Sequence, residues 1–177
     1  MSRGTVTVDW NFVLILNNMK TITVIAFTLL TLNTMAAKKE ISTQIIINAS
    51  PEKVWTVLTD FDTYSDWNPF IKSIKGNVNV GNKINILIDG MKFKPEVLVY
   101  ESNQEFKWIG NLLVKGLFDG EHRFQLIDNG DGTTTFIQSE KFNGILVNML
   151  SKKLDNETIP GFEAMNLALK NRVESLN

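Results

Sequence analysis

One histidine, His122, and no cysteine stand in the 177 residues, so the chemistry open to this chain rests on few side chains. Around His122 the residues alternate. Gly120, Phe124 and Leu126 share its phase, and Glu121, Arg123 and Gln125 take the other. Thr133 to Phe142 alternates as well, placing Glu140 in phase with Thr134, Phe136, Gln138 and Phe142. The turn Asp128-Asn129-Gly130-Asp131-Gly132 separates the two runs, which reads as a hairpin. If both apolar phases face inward, His122, Gln138 and Glu140 form one polar cluster among aromatics. An imidazole–carboxylate pair there has the parts for acid/base work, such as assisting an enolisation or a dehydration. The plainer reading, more frequent for such pairs, is a hydrogen-bonded group that orients a ligand or satisfies itself.

Other chemistries are poorly provided for. Without cysteine there is no disulfide, thiolate zinc site or cysteine nucleophile. A metal at His122 would have to recruit carboxylates alone, so no metal and no cofactor is expected. Asp128 to Gly132 fails as a calcium loop because Gly130 and Gly132 stand where oxygen ligands are needed. No phosphate-binding glycine loop and no serine nucleophile elbow is found. The formal net charge of −1 argues against an extended nucleic-acid surface. Asn48-Ala49-Ser50 and Asn156-Glu157-Thr158 match the glycosylation triplet, a short pattern that recurs by chance.

The elements that position these residues begin after a leader. Thr21 to Ala37 carries no charge between Lys20 and Lys38, with an apolar centre from Ile22 to Leu32 and small residues at Thr34 to Ala37. This is the layout of a secretory signal, short for a membrane span. Residues 1–37 are therefore expected to be a leader, with Met19 a candidate start. The rest, 38–177, is expected to be one exported domain, periplasmic or extracellular. The alternative is a membrane anchor at residues 21–37, and that leader is the one membrane contact expected.

Ile41 to Asn48 reads as a strand. Ser50-Pro51 then opens a helix with a single-sided cap, burying Val54, Trp55 and Leu58. A second short helix ends before Pro69. Six strands follow, with Phe93, Pro95, Val97 and Val99 on one face, where Pro95 suggests a strand start or an edge. From Gly144 the period turns helical: a short segment over about Val147 to Asp155, a kink or break where Pro160-Gly161 interrupts the pattern, then a main helix to about Ser175. Its stripe is Phe162, Met165, Leu169, Val173 and Leu176, with Asn166, Lys170 and Arg172 on the other side. The class is α+β: a curved antiparallel sheet of about seven strands around a long C-terminal helix, with two short helices after the first strand.

This order, with Ala49-Ser50-Pro51-Glu52-Lys53-Val54-Trp55, Thr59-Asp60 through Trp67-Asn68-Pro69-Phe70, Gly120-Glu121-His122-Arg123-Phe124, Gly132-Thr133-Thr134, Glu140 to Gly144 and Gly161-Phe162, resembles the helix-grip superfamily. That group includes birch-pollen-allergen-like proteins, lipid-transfer domains related to the steroidogenic acute regulatory protein, and polyketide cyclase/dehydrase-like (SRPBCC) proteins. The resemblance covers about Ile41 to Leu176. It implies a cavity between sheet and long helix for a lipid, sterol or aromatic, polyketide-like molecule. Phe93, Phe106, Trp108, Phe124, Phe136, Gln138, Phe162 and Met165 are its candidate wall, with Trp67 at the mouth beside Tyr64 and Phe70. Three functions follow as expectations: a monomeric carrier of a small hydrophobic ligand, a cyclase/dehydratase-type enzyme using His122 and Glu140, or a non-enzymatic interaction or stress-associated module with a filled core.

Overall fold

The computed structural model describes residues 36–88 and 90–176. The leader read at 1–37 lies outside these residues except for Ala36 and Ala37, and Ala37 already opens strand β1 (Ala37–Ile47). Helix α1 (Pro51–Thr59) starts as its sequence dictates: Ser50 is extended and its hydroxyl accepts the Lys53 N–H at 3.4 Å. A 3-10 turn (Phe61–Thr63) leads into α2 (Tyr64–Trp67), and the chain leaves through Asn68 in an extended conformation ahead of Pro69. There the Asn68 side-chain carbonyl accepts from the N–H groups of Phe70 and Ile71 at 2.9 and 2.8 Å. Strands β2 (Ile71–Lys75), β3 (Asn85–Ile88), β4 (Met91–Phe93), β5 (Glu96–Glu101), β6 (Glu105–Asn111), β7 (Asp119–Asp128) and β8 (Thr134–Gly144) follow, then helix α3 (Val147–Glu174).

The α+β helix-grip arrangement is as expected, with one strand more. Pro95 has no N–H to offer a ladder, and it separates β4 from β5, which starts at the next residue. The strands form a five-stranded antiparallel sheet, β1-β8-β7-β6-β5, and a three-stranded one, β2-β3-β4. The join between them is thin. It consists of a bridge between Lys83 and Glu96 and the bonds Ile84 N–H to the Pro95 carbonyl (3.0 Å), Val97 N–H to Asn82 (2.9 Å) and Gly81 N–H to Val97 (2.8 Å).

The C-terminal helix corrects the reading of two segments. It runs unbroken through Pro160. Proline removes one helical hydrogen bond, but Pro160 and Asn156 are exposed, so water can serve the carbonyl that loses its donor. Gly161, just beyond, is buried and lies against the ring of Phe70.

The polar side of α3 is also not a solvent side. Asn166 is buried and donates from Nδ2 to Thr43 Oγ1 at 2.9 Å. Lys170 Nζ reaches the Ile46 carbonyl at 2.7 Å. Nearer the start of α3, Lys39 Nζ donates to Ser151 Oγ at 3.0 Å and to Asp155 at 2.9 Å. Near its end, Glu174 accepts the Asn48 N–H at 2.8 Å. These ties hold α3 along β1, while Met165, Leu169 and Val173 pack into the main core.

Tyr64, expected at the mouth, belongs to that core instead. It is fully buried and donates its hydroxyl to the Leu58 carbonyl. Burial, helped by Tyr100, pushes its phenol well above the ordinary value, so it remains a neutral donor.

The tie at Glu174 has a pH signature. The Asn48 N–H and then Lys170 favour the carboxylate and hold it below its usual 4.5. A depressed pKa contributes stability above the unfolded value and loses it as pH falls through the folded one. The Tm advantage of wild type over Glu174→Gln is expected to be small, because the pair faces solvent. Thermal melts across pH should show that advantage at neutral pH and its progressive loss as the pH falls below the ordinary value of 4.5.

Candidate functional site

The β7–β8 hairpin closes on a self-bonded turn. Asp128 Oδ1 accepts the Gly130 N–H at 2.9 Å, and Asp131 Oδ1 accepts from the Thr133 N–H and hydroxyl. Both carboxylates are thus engaged in the turn. The register that follows sets His122 directly opposite Glu140 and Phe124 opposite Gln138. On the neighbouring strand, Trp108 is opposite His122. The expected cluster therefore forms.

His122 is 7% exposed. Its Nδ1 lies 3.4 Å from Glu140 Oε2, and its Nε2 lies 3.3 Å from Gln138 Nε2. The Gln138 amide also points a donor at Met165 Sδ, 3.5 Å away. With that amide donating to Nε2, the imidazole proton falls on Nδ1 and aims at the Glu140 carboxylate. The Glu140 side chain keeps 22% of its surface in solvent, so the trio runs from a half-buried carboxylate to a buried amide.

Two acceptors are left over: Gln138 Oε1 and Asn166 Oδ1 are buried without a hydrogen-bond partner. Gln138 stands opposite Thr43 in the β1–β8 register, and Thr43 holds Asn166. A polar seam thus runs from Glu140 through His122 and Gln138 toward Thr43 and Asn166, and its unpartnered atoms, Gln138 Oε1 and Asn166 Oδ1, are both acceptors. Sequence reasoning missed Thr43 and Asn166. The signal available was the phase of Thr43, which matches inward-facing Ile41 and Ile47.

The remaining candidates surround His122 or lie beyond it. The indole of Trp108 stacks on the imidazole at 4.6 Å, while Phe124 and Phe162 meet it edge-on at 4.7 and 5.2 Å. Phe106 contacts Trp108 at 4.9 Å and Phe136 contacts Phe124 at 5.7 Å. Phe93 and Trp67 are only partly buried and pack against the margin of the same cluster. In this structure the expected cavity wall is therefore ring packed on ring. Two concavities, of about 160 and 300 Å³, are lined mainly by charged side chains outside this aromatic interior.

Residues 38–174 match the model of the polyketide cyclase/dehydrase and lipid transport family. The chain belongs to this family. Its members bind small hydrophobic ligands, which agrees with an aromatic interior carrying a few polar groups. No curated protein sequence matches the chain. Among solved structures it is similar to a START superfamily protein from Mycobacterium smegmatis (24% identity, 78% of this chain and 99% of that one, TM-score 0.60). It is also similar to norcoclaurine synthase from Thalictrum flavum in complex with dopamine and hydroxybenzaldehyde (15%, 80% and 90%, TM-score 0.62). A third is the Zhui aromatase/cyclase from a Streptomyces species (11%, 78% and 94%, TM-score 0.63). At these identities the likeness is one of fold.

In this polyketide cyclase-like domain, one glycine controls the pair. A Cβ on Gly120 would stand 2.5 Å from Glu140 Oε1, so the carboxylate occupies space that only glycine leaves. Gly120→Ala is expected to cost under about 1 kcal/mol, because the flexible end of Glu140 can swing aside. The swing breaks the 3.4 Å contact with His122. Long-range nitrogen–proton NMR should then show the Nδ1–H tautomer dominant in wild type and mixed in the variant. An unchanged tautomer would mean that Glu140 does not set it.

Proposed function

We propose that the domain takes up a small, largely aromatic molecule carrying a hydrogen-bond donor, between the sheet and α3, with Gln138 reading the donor. The observation that carries this is the orphaned Gln138 Oε1, in a buried side chain that meets His122 and Met165 and stands opposite Phe124. A buried acceptor without a partner costs about 1–3 kcal/mol. A ligand hydroxyl or amine would recover that cost, and the flanking rings would cover its apolar body. Family membership supports the ligand class. The packed rings require that binding be accompanied by rearrangement of side chains or of α3. Exported carriage would follow from the leader read at 1–37.

A second reading has its own support. The His122–Glu140 contact, with Glu140 partly in solvent, suits proton transfer in a cyclisation or dehydration. Under that reading a captured ligand would be converted by wild type and not by Glu140→Gln.

The test compares a naphthol with naphthalene by fluorescence titration. Binding of the naphthol is expected to be saturable and roughly fivefold tighter, the value of about one hydrogen bond. Gln138→Leu should erase the difference while keeping naphthalene binding. If neither probe saturates, the filled-core module is the better account. If both bind equally to wild type, Gln138 does not read a donor.

A further inference from the structure

The corner where β6, β7, β8 and α3 meet carries apolar side chains turned outward. Leu113 is 82% exposed, Val114 64% and Met149 72%, and Leu112 and Ile145 are also exposed. These residues are held in place. The Leu112 N–H bonds to Phe118 (2.9 Å), the Val114 N–H to Leu112 (2.9 Å) and the Leu117 N–H to Val114 (3.2 Å). Asp119 accepts the Gly116 N–H at 3.0 Å with both carboxylate oxygens. The loop is in turn fastened to the start of α3, through Ile145 N–H to Gly116 (3.2 Å) and Leu146 N–H to Leu117 (3.1 Å). Gly144 makes this seat possible, because a Cβ there would meet the Leu117 carbonyl oxygen at 2.5 Å. Leu113 itself adopts a left-handed backbone, φ 66°, which a bulky residue rarely takes without support from its surroundings. The fold thus builds a rigid loop whose product is an exposed leucine.

Charge around this corner has one sign. Residues 112–118 and 144–154 contain Lys115, Lys152 and Lys153 and no acidic residue. The acids just beyond are engaged: Asp119 with Gly116, Asp155 with Lys39 at 2.8 Å, and Glu157 with Lys153 itself at 3.8 Å in a solvent-facing pair. On α3, Met149 lies three and four residues before Lys152 and Lys153, so they share a face. Long lysine stems above an apolar contact allow the ammonium groups to reach phosphates. The five apolar residues fall far short of the roughly 20–30 residues a side of a stable protein interface, but loop tips of this size suit partial insertion between lipids.

We propose that this corner docks on an anionic lipid bilayer, with Leu112, Leu113, Val114, Ile145 and Met149 in the interfacial layer and the lysines at the phosphates. It adds a contact made by the folded domain to any made by the leader, and it is independent of what the interior binds. The chain has no cysteine, so Leu113→Cys in the full chain can be labelled at one position with the fluorophore NBD. Leu176→Cys, exposed at the far end of α3, serves as reference. With vesicles of phosphatidylcholine and phosphatidylglycerol, the label at 113 should shift to the blue and brighten about threefold or more. The response should weaken with added salt and with phosphatidylcholine alone. The label at 176 should not change. No response at 113 would overturn the proposal, as would an equal response at 176, which would assign binding to another part of the chain. A response to protein concentration without vesicles would assign the corner to a second copy of the chain.

Discussion

The register of β7 on β8 is the constraint on which the candidate site depends. Side chains alternate along a strand, so a slip of one residue would present Glu121 and Arg123 to the interior and turn His122 out. The turn from Asp128 to Thr133 prevents that slip by spending both its aspartates on its own backbone and on Thr133. Once it is closed, the pairings His122–Glu140 and Phe124–Gln138 follow without further instruction. The outward phase then forms its own ionic surface. Arg123 meets Glu105 at 2.6 Å, and Lys107 lies 3.7 and 3.8 Å from Glu105 and Glu121. The same alternation thus separates a charged exterior from an aromatic interior with one polar seam in it.

That seam is where the interior departs from what stability alone would select. A leucine at 138 would fill similar volume without burying an amide, and the seam leaves two acceptors unpaired at a cost of order 1–3 kcal/mol each. Local rules are obeyed around it: the hairpin turn, the capped helix and the alternating strands all agree with the fold. Trp67 Nε1, Asn68 Nδ2, Arg123 Nε and Asn143 Oδ1 are also buried without a partner, but among the described residues only the seam sets two such atoms beside the His122–Glu140 pair. The orientation of that pair is controlled from two sides, by the missing Cβ at Gly120 and by the stacked indole of Trp108.

Much of this was legible in the sequence because period-two alternation and a turn signal are local. Ser50-Pro51, the exit at Pro69, the hairpin and the inward phase of His122 and Glu140 needed no tertiary knowledge. What was not legible depended on which side of an element meets solvent. Pro160 looks like a helix breaker, yet the carbonyl it orphans belongs to exposed Asn156. Asn166 and Lys170 look like a wet face, yet β1 runs alongside and supplies Thr43 and the Ile46 carbonyl as partners. Tyr64 reads as an amphipathic residue for a mouth, but the Leu58 carbonyl lies within reach in the core. The packing of the rings was equally hidden, since an inward phenylalanine has the same phase whether it faces a cavity or another ring.

The two ends of the grip differ in how hard they would be to open. At the end where β1 finishes, Lys170 and Glu174 tie α3 to Ile46 and Asn48, and Leu169 and Val173 enter the large core shared with α1. At the end where β1 begins, Lys39 ties α3 through Ser151 and Asp155, and the helix rests on a separate cluster of four buried residues, Ile41, Phe142, Val147 and Phe162, with Phe118, Leu154 and Ile159 packed against it. Polar ties are present at both ends, and exposure of apolar area costs about 25 cal/mol per Å², so in apolar burial lifting the helix from the small cluster costs less than lifting it from the large one. Phe162 belongs to that small cluster and also touches His122. A movement that frees its ring would uncover the polar seam directly, and it would do so beside the corner that carries Leu113, Ile145 and Met149. If the domain takes its ligand as proposed, the cheapest path to Gln138 therefore runs past Phe162, from the end of the molecule whose surface is suited to lipid.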